Sequence, residues 1–177
     1  MMTIRRLPAA SLLAVTVLGL AFAPGASAQF HSSHLQPSEV RFVQNFYQQV
    51  IANQRMSELA MNKGQSRDVR ELGANVSRDL RHAREDLHVL ARNTGVHLSD
   101  DLTASNRAAA SRLSNAVGSS FDRTYVDILL QQLPQTLQES RQIAGRTRSD
   151  ELRSYLNRVN PRIERVISEA QTARARL

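Results

Sequence analysis

The sequence predicts an all-α protein, a four-helix bundle with a short extra helix in the connection between long helices 2 and 3. Three observations carry that prediction. Four long segments repeat apolar residues in steps of three and four, which puts them on one face of a helix. The third of these stripes runs Phe121, Tyr125, Ile128, Leu129, Leu133 and Leu137. Helix-terminal residues stand between the stripes: Ser, Asp and Pro where a helix starts, Gly where one ends. Finally, no segment of useful length alternates like a strand, and no repeat of solenoid period is visible.

The first helix starts at Pro37-Ser38, with Ser38 as the expected N-cap. Its stripe is Val43, Phe46, Tyr47, Val50, Ser57 and Ala60, and Gly64 closes it in the usual C′ position. Ser66 caps the second helix, and Asp68 suits the positive end of its dipole. The second stripe is the most regular: Val69, Leu72, Gly73, Val76, Leu80, Ala83, Leu87 and Leu90, ending at Asn93-Thr94-Gly95. Arg78, Arg81, Arg84 and Glu85 make an opposite, solvated face. The pattern loosens from Val96 to Ser120, with a short Ala-rich helix expected over Asn106 to Val117. Gly118-Ser119-Ser120 introduces the third long helix, which ends near Gly145. Ser149 caps the fourth, whose stripe is Leu152, Tyr155, Leu156, Val159, Ile163, Val166 and Ala170. Pro134 and Pro161 fall inside the last two helices and are expected to bend them.

Residues 1–28 read as a cleaved secretory signal peptide. Arg5 and Arg6 form the positive start, Leu7 to Phe22 is uncharged and mostly apolar, and Ala26-Ser27-Ala28 offers small residues for cleavage. The apolar run is short for a spanning helix, so no transmembrane segment is expected after cleavage. The paired arginines raise the twin-arginine export route, although Leu7-Pro8 departs from the rest of that pattern. Residues 29–37 read as a flexible lead-in and 38–177 as a single helical domain. The signal carries two arginines and no acid, so its removal lowers the formal charge of +7 by two. With no cysteine, neither a disulfide nor a thiol-linked lipid is available. A chain of this size can bury about 68–70% of its unfolded surface, so packing alone suffices. The expected location is periplasmic or secreted.

Three stretches together resemble one family. They are Glu58-Leu59-Ala60 followed by Val69; Phe121-Asp122-Arg123-Thr124-Tyr125; and Asn160-Pro161-Arg162-Ile163. The chain resembles, over roughly Val40 to Ala173, the secreted ferritin-like helical family DUF4142, a domain of unknown function. Phe121, Asp122 and Tyr125 carry the most specific part of the likeness. The resemblance implies a Glu in the first helix, an Asp-His pair in the second, a His late in the third, and a His five residues after the proline of the fourth. Such side chains would meet inside a bundle as metal ligands. Laid on this chain, the Glu position is Asn53, Asp79 is kept but its His is Leu80, and the two later His positions are Leu133 and Val166. Leu and Val donate nothing to zinc, iron or manganese. The resemblance therefore implies a member whose polar centre has become ordinary core, with no cofactor.

Other polar groups have both a chemical and a plainer use. Cleavage after Ala28 would put His31 third, behind a free amine and two backbone amides, a square-planar nitrogen set suited to Cu(II) or Ni(II). His34 could add a donor, and the plainer reading is a solvated tail. His82, Asp79 and Asp86 share a helix side and read as a surface charge network. His88 and His97 receive no role. Asp122 and Tyr125 read as structural, and no nucleophile elbow or phosphate loop occurs. Arg141, Arg146, Arg148, Arg153, Arg158, Arg162, Arg165, Arg174 and Arg176 make the C-terminal third basic, with Asp150, Glu151, Glu164 and Glu169 interspersed, so anionic envelope components are the partner class to test. No aromatic platform accompanies the charge, which argues against nucleic acid. The expectation is a non-enzymatic protein with a structural or interaction role.

Overall fold

Four amphipathic stripes have to be hidden from water, and the helices that carry them pack together to do so. The computed structural model describes residues 35–177; the signal segment, His31 and His34 lie outside the described residues. Five α-helices and no strand occur among the described residues: α1 Pro37–Lys63, α2 Arg67–Thr94, α3 Ala104–Asn115, α4 Gly118–Arg146 and α5 Asp150–Ala175. Every expected stripe residue is buried except Leu80, which is half-buried. No described helix is long and apolar enough to cross a membrane.

Short turns join α1 to α2 and α4 to α5, so each pair is an antiparallel hairpin. Side-chain contacts give the direction of one hairpin on the other. Arg165 meets Asp79 at 2.5 Å and Arg176 meets Asp68 at 3.1 Å, so α5 ends where α2 begins. Tyr125 meets Ser57 and Thr136 meets Gln49, each at 2.9 Å, so α4 runs opposite to α1. It follows that α2 and α4 run the same way. The segment 95–117 must therefore travel back along the molecule, about 40 Å at 1.5 Å per helical residue. It carries α3, which packs on α1 and α4. Gln44 Nε2 donates to the His97 carbonyl (3.0 Å) and the Tyr47 hydroxyl to Asp100 (2.8 Å), fixing the start of the crossover to α1.

The helix ends correct several expectations. Ser38 is not the cap of α1: Gln36 is, Pro37 takes the first helical position, and the Gln36 amide donates to Glu39 Oε2 at 2.8 Å. Leu35, just before the cap, is buried in the core. Gly64 ends α1 without entering the left-handed region (φ −56°, ψ 130°). Gly95 does enter it (φ 72°), closing α2 through its amide to the Ala91 carbonyl. Ser66 and Ser149 cap as expected, accepting from Val69 and Leu152 amides. Helix α3 starts two residues earlier than the pattern suggests because Thr103 accepts from the Asn106 amide and stops it there.

Gly73 sits on the α2 stripe for a different reason. A Cβ there would lie 2.7 Å from the Met61 amide nitrogen and 2.8 Å from the Ser57 carbonyl oxygen. Glycine lets the α1 and α2 backbones approach closely. Helices α4 and α5 run unbroken through Pro134 and Pro161. Both rings are exposed, so the carbonyls they leave unbonded, those of Leu130 and Asn157, sit on the solvent side of each helix.

Candidate functional site

At the middle of the molecule the four long helices turn their stripes toward one cavity of about 50 Å³. Asn53 comes from α1, Leu80 from α2, Leu133 from α4 and Val166 from α5. These are the four positions at which the family resemblance implies metal ligands, and the fold brings all four together. The rest of the wall is mostly apolar, with Phe46, Val50, Val76, Leu129, Val159 and Ile163 among its residues. Among the described residues, no group of three His, Cys, Asp or Glu could hold a metal ion.

The few polar groups in the lining differ sharply in how they are satisfied. The Thr136 hydroxyl lies 2.9 Å from Gln49 Oε1 on α1 and 3.0 Å from the Gln132 carbonyl on its own helix, two acceptors for its one proton. Asp79 does not join His82 and Asp86 in a surface network. Its carboxylate turns to α5 and pairs with Arg165, leaving its side chain 25% exposed. His82 meets Glu85 instead, at 3.7 Å, and Asp86 faces a groove against α5. Asn53 is the exception. It is 2% exposed, and its Oδ1 finds no hydrogen-bond partner in the protein. A buried amide oxygen left that way costs about 1–3 kcal/mol.

One end of the molecule shows the opposite condition. Asp122, in the first turn of α4, accepts the Gln65 amide at 2.9 Å and the Ser66 amide at 2.7 Å. One carboxylate thus holds the turn between α1 and α2. Tyr125, one turn on, donates to Ser57 Oγ, which donates to the Asn53 carbonyl at 2.6 Å. Burial pushes the Tyr125 phenol well above its ordinary value, and the Ser57 contact offsets this only in part. Phe121 is buried beside them. Phe121, Asp122 and Tyr125 therefore form a clasp between α4 and the α1–α2 hairpin. Pro161 stands apart on α5, next to Asn160, which accepts from Ser140 at 2.5 Å.

A second polar cluster has no counterpart in the sequence reading. The Tyr47 hydroxyl lies 3.1 Å from His88 Nε2 and 2.8 Å from Asp100, with Arg84 Nε donating to it at 3.4 Å. Arg84 also lies over the Tyr47 ring, 5.9 Å from its centroid. Burial first, then Asp100, raise the Tyr47 phenol against the lowering effect of Arg84, so it stays protonated at neutral pH. Arg84 is thus half-buried rather than part of a solvated face, and His88 has a contact. Helical spacing places Arg84 near His88, but Tyr47 and Asp100 are 53 residues apart and nothing local pairs them. The cluster fastens the crossover to both helices of the first hairpin.

Five of the nine arginines in the C-terminal third pair with acids, some on neighbouring helices and some on α5 itself. Arg141 pairs with Glu164, Arg153 with Asp150, Arg165 with Asp79 and Glu169, Arg174 with Asp127, and Arg176 with Asp68.

Five helices, four of them converging on an apolar midpoint, define an all-helical protein. The chain belongs to the family described as domain of unknown function (DUF4142), whose model matches residues 24–173. Among solved structures it is similar to the crystal structure of a DUF305 fragment from Deinococcus radiodurans, at 15% identity and a TM-score of 0.72, covering 81% of this chain and 99% of that one. That likeness shows the fold alone. No curated protein matches the chain.

Proposed function

We propose that the protein is an exported, non-catalytic member of the cell envelope with a structural or interaction role, a ferritin-like four-helix bundle whose central metal site has become apolar. The topology supports the ferritin-like assignment. Two antiparallel hairpins joined by one lengthwise crossover is the arrangement of ferritin-like folds. The observation that carries the functional reading is the convergence of Asn53, Leu80, Leu133 and Val166 on one cavity. Histidines or a glutamate at those positions would border the same cavity. Aliphatic side chains there offer no donor, and burying each contributes roughly 1.5–3 kcal/mol to the core. Removing three imidazoles also removes groups that would need partners inside.

Metal content measured on protein purified from metal-supplemented cells tests the reading. Well under one ion of iron, zinc or manganese per chain is the expected result, and one tightly held ion per chain overturns it. The converse variant sharpens the test. Asn53→Glu, Leu80→His, Leu133→His and Val166→His together should create a Co(II) site with tetrahedral absorption. The export component is tested by fractionation and N-terminal sequencing. A chain beginning at Gln29 in the envelope fraction supports it, and an unprocessed cytosolic chain overturns it.

A further inference from the structure

The wall of the midpoint cavity presents carbon and almost nothing else. We propose that this cavity is a site for a small apolar molecule with no hydrogen-bonding group, the class of a light hydrocarbon or a diatomic gas. It would be held by contact alone among Phe46, Leu133, Val159, Ile163 and Val166. The proposal rests on the reading of the midpoint as apolar and metal-free.

Three observations select that chemistry. Almost none of the wall's accessible surface is polar. Asp79 and Arg162 border the cavity, but their charged ends add nothing to its wall, and the Asp79 carboxylate pairs with Arg165 instead. The unpartnered Asn53 Oδ1 is itself covered, so it presents no acceptor to a guest.

The stripes themselves are incompletely packed at this level. Phe46, Val159 and Val166 keep 6% of their surface accessible, and Leu133 and Ile163 keep 8%, whereas Val43, Leu152 and Leu156 on the same helices keep none. Close-packed interiors leave few voids larger than a water molecule. Atoms lining such a void forgo dispersion contacts, and an apolar guest restores them.

Size sets the third limit. The cavity measures about 50 Å³, roughly a third of the ~150 Å³ apolar cavity that takes up benzene. A guest of two or three heavy atoms fits that space. Water suits it poorly, because a buried water needs two to four polar partners and apolar cavities stay dry. With so few atoms, affinity is limited to about the millimolar range.

Ethane and methanol are the probes, because each has two heavy atoms and they differ in one hydroxyl. Methyl NMR of the protein, titrated with ethane under gas pressure, should show saturable shifts at Leu133, Ile163 and Val166. Methanol should bind at least about 10-fold more weakly, since its hydroxyl would be buried without a partner. In Val166→Phe, which fills the space, the ethane shifts should vanish. Leu80→Phe fills it from the half-buried side of the wall and serves if the first variant does not fold. The proposal is overturned if ethane gives no saturable shift, if methanol binds as tightly, if the filled variant still responds to ethane, or if an ordered water occupies the site. A resident metal ion would overturn the apolar reading itself, whereas a metal-free chain with a flat ethane titration overturns this proposal alone.

Discussion

Two of the places where this molecule buries polar groups treat them in opposite ways. Where α4 begins, Asp122 takes two backbone amides, and Tyr125 and Ser57 pass a hydrogen bond to the Asn53 carbonyl. At the midpoint, the side chain of that same Asn53 ends in an oxygen with no partner from the protein. One residue thus spans both regions, its backbone serving the clasp and its side chain facing the cavity. A satisfied buried network rigidifies, and removing a member is costly; an unsatisfied group can be replaced by an apolar one at little cost. The clasp therefore behaves as structure, and the midpoint as a place that an apolar side chain should fill at little cost.

The contrast can be broken by mutation, beginning at the end that should resist least change. The largest loss is expected from Gly73→Val, whose side chain would collide with the α1 backbone beside Ser57. Chemical denaturation should register about 3 kcal/mol or more. Next comes Asp122→Ala, which strands the Gln65 and Ser66 amides and should cost about 2–3 kcal/mol in the same measurement. Tyr125→Phe keeps the packing and loses one hydrogen bond, about 1 kcal/mol. The smallest effect belongs to the midpoint: Asn53→Leu should leave stability within about 1 kcal/mol of the parent or raise it. If Asn53→Leu proved as damaging as Asp122→Ala, the distinction between the two regions would collapse.

Alkaline pH separates the regions by another route. An unfolded tyrosine loses its proton near 10.0, whereas burial raises the phenols of Tyr125 and Tyr155 in the fold. Above pH 10 the folded chain then holds more protons than the unfolded one, so stability falls as pH rises. Below that, both states keep the phenols neutral and the contribution is fully present. Denaturation midpoints followed from pH 8 to 11 should decline more gently in Tyr125→Phe, and unchanged in slope in Asn53→Leu.

Much of the architecture was legible because helical packing is written in short-range periodicity. The stripes on α2, α4 and α5 fell to the interior almost residue for residue, and Ser66 and Ser149 cap where a local rule places them. What escaped depends on pairs distant in sequence. Nothing near Asp79 announces that it will reach α5, and nothing near Asp122 announces that it will hold a turn 56 residues earlier. Helical spacing also cannot distinguish a solvated arginine from Arg84, which lies on a ring supplied by another helix. At Ser38 the local rule itself misled, because Pro37 already occupied the first helical position and moved the cap back to Gln36. The midpoint stands between these cases. Its four positions follow from the family likeness, but the stranded oxygen of Asn53 needed the fold.

The lengthwise crossover makes the molecule divisible. Its first stretch, between Gly95 and Thr103, is tied down by a few side-chain hydrogen bonds, and a single cut there would release two helical hairpins with their greasy faces bare. Neither half could hide that face alone, yet each is the mould of the other. Co-expressed as separate polypeptides, α1–α2 and α3–α5 should find one another and restore the whole, which would turn the protein into a two-part reporter of encounter.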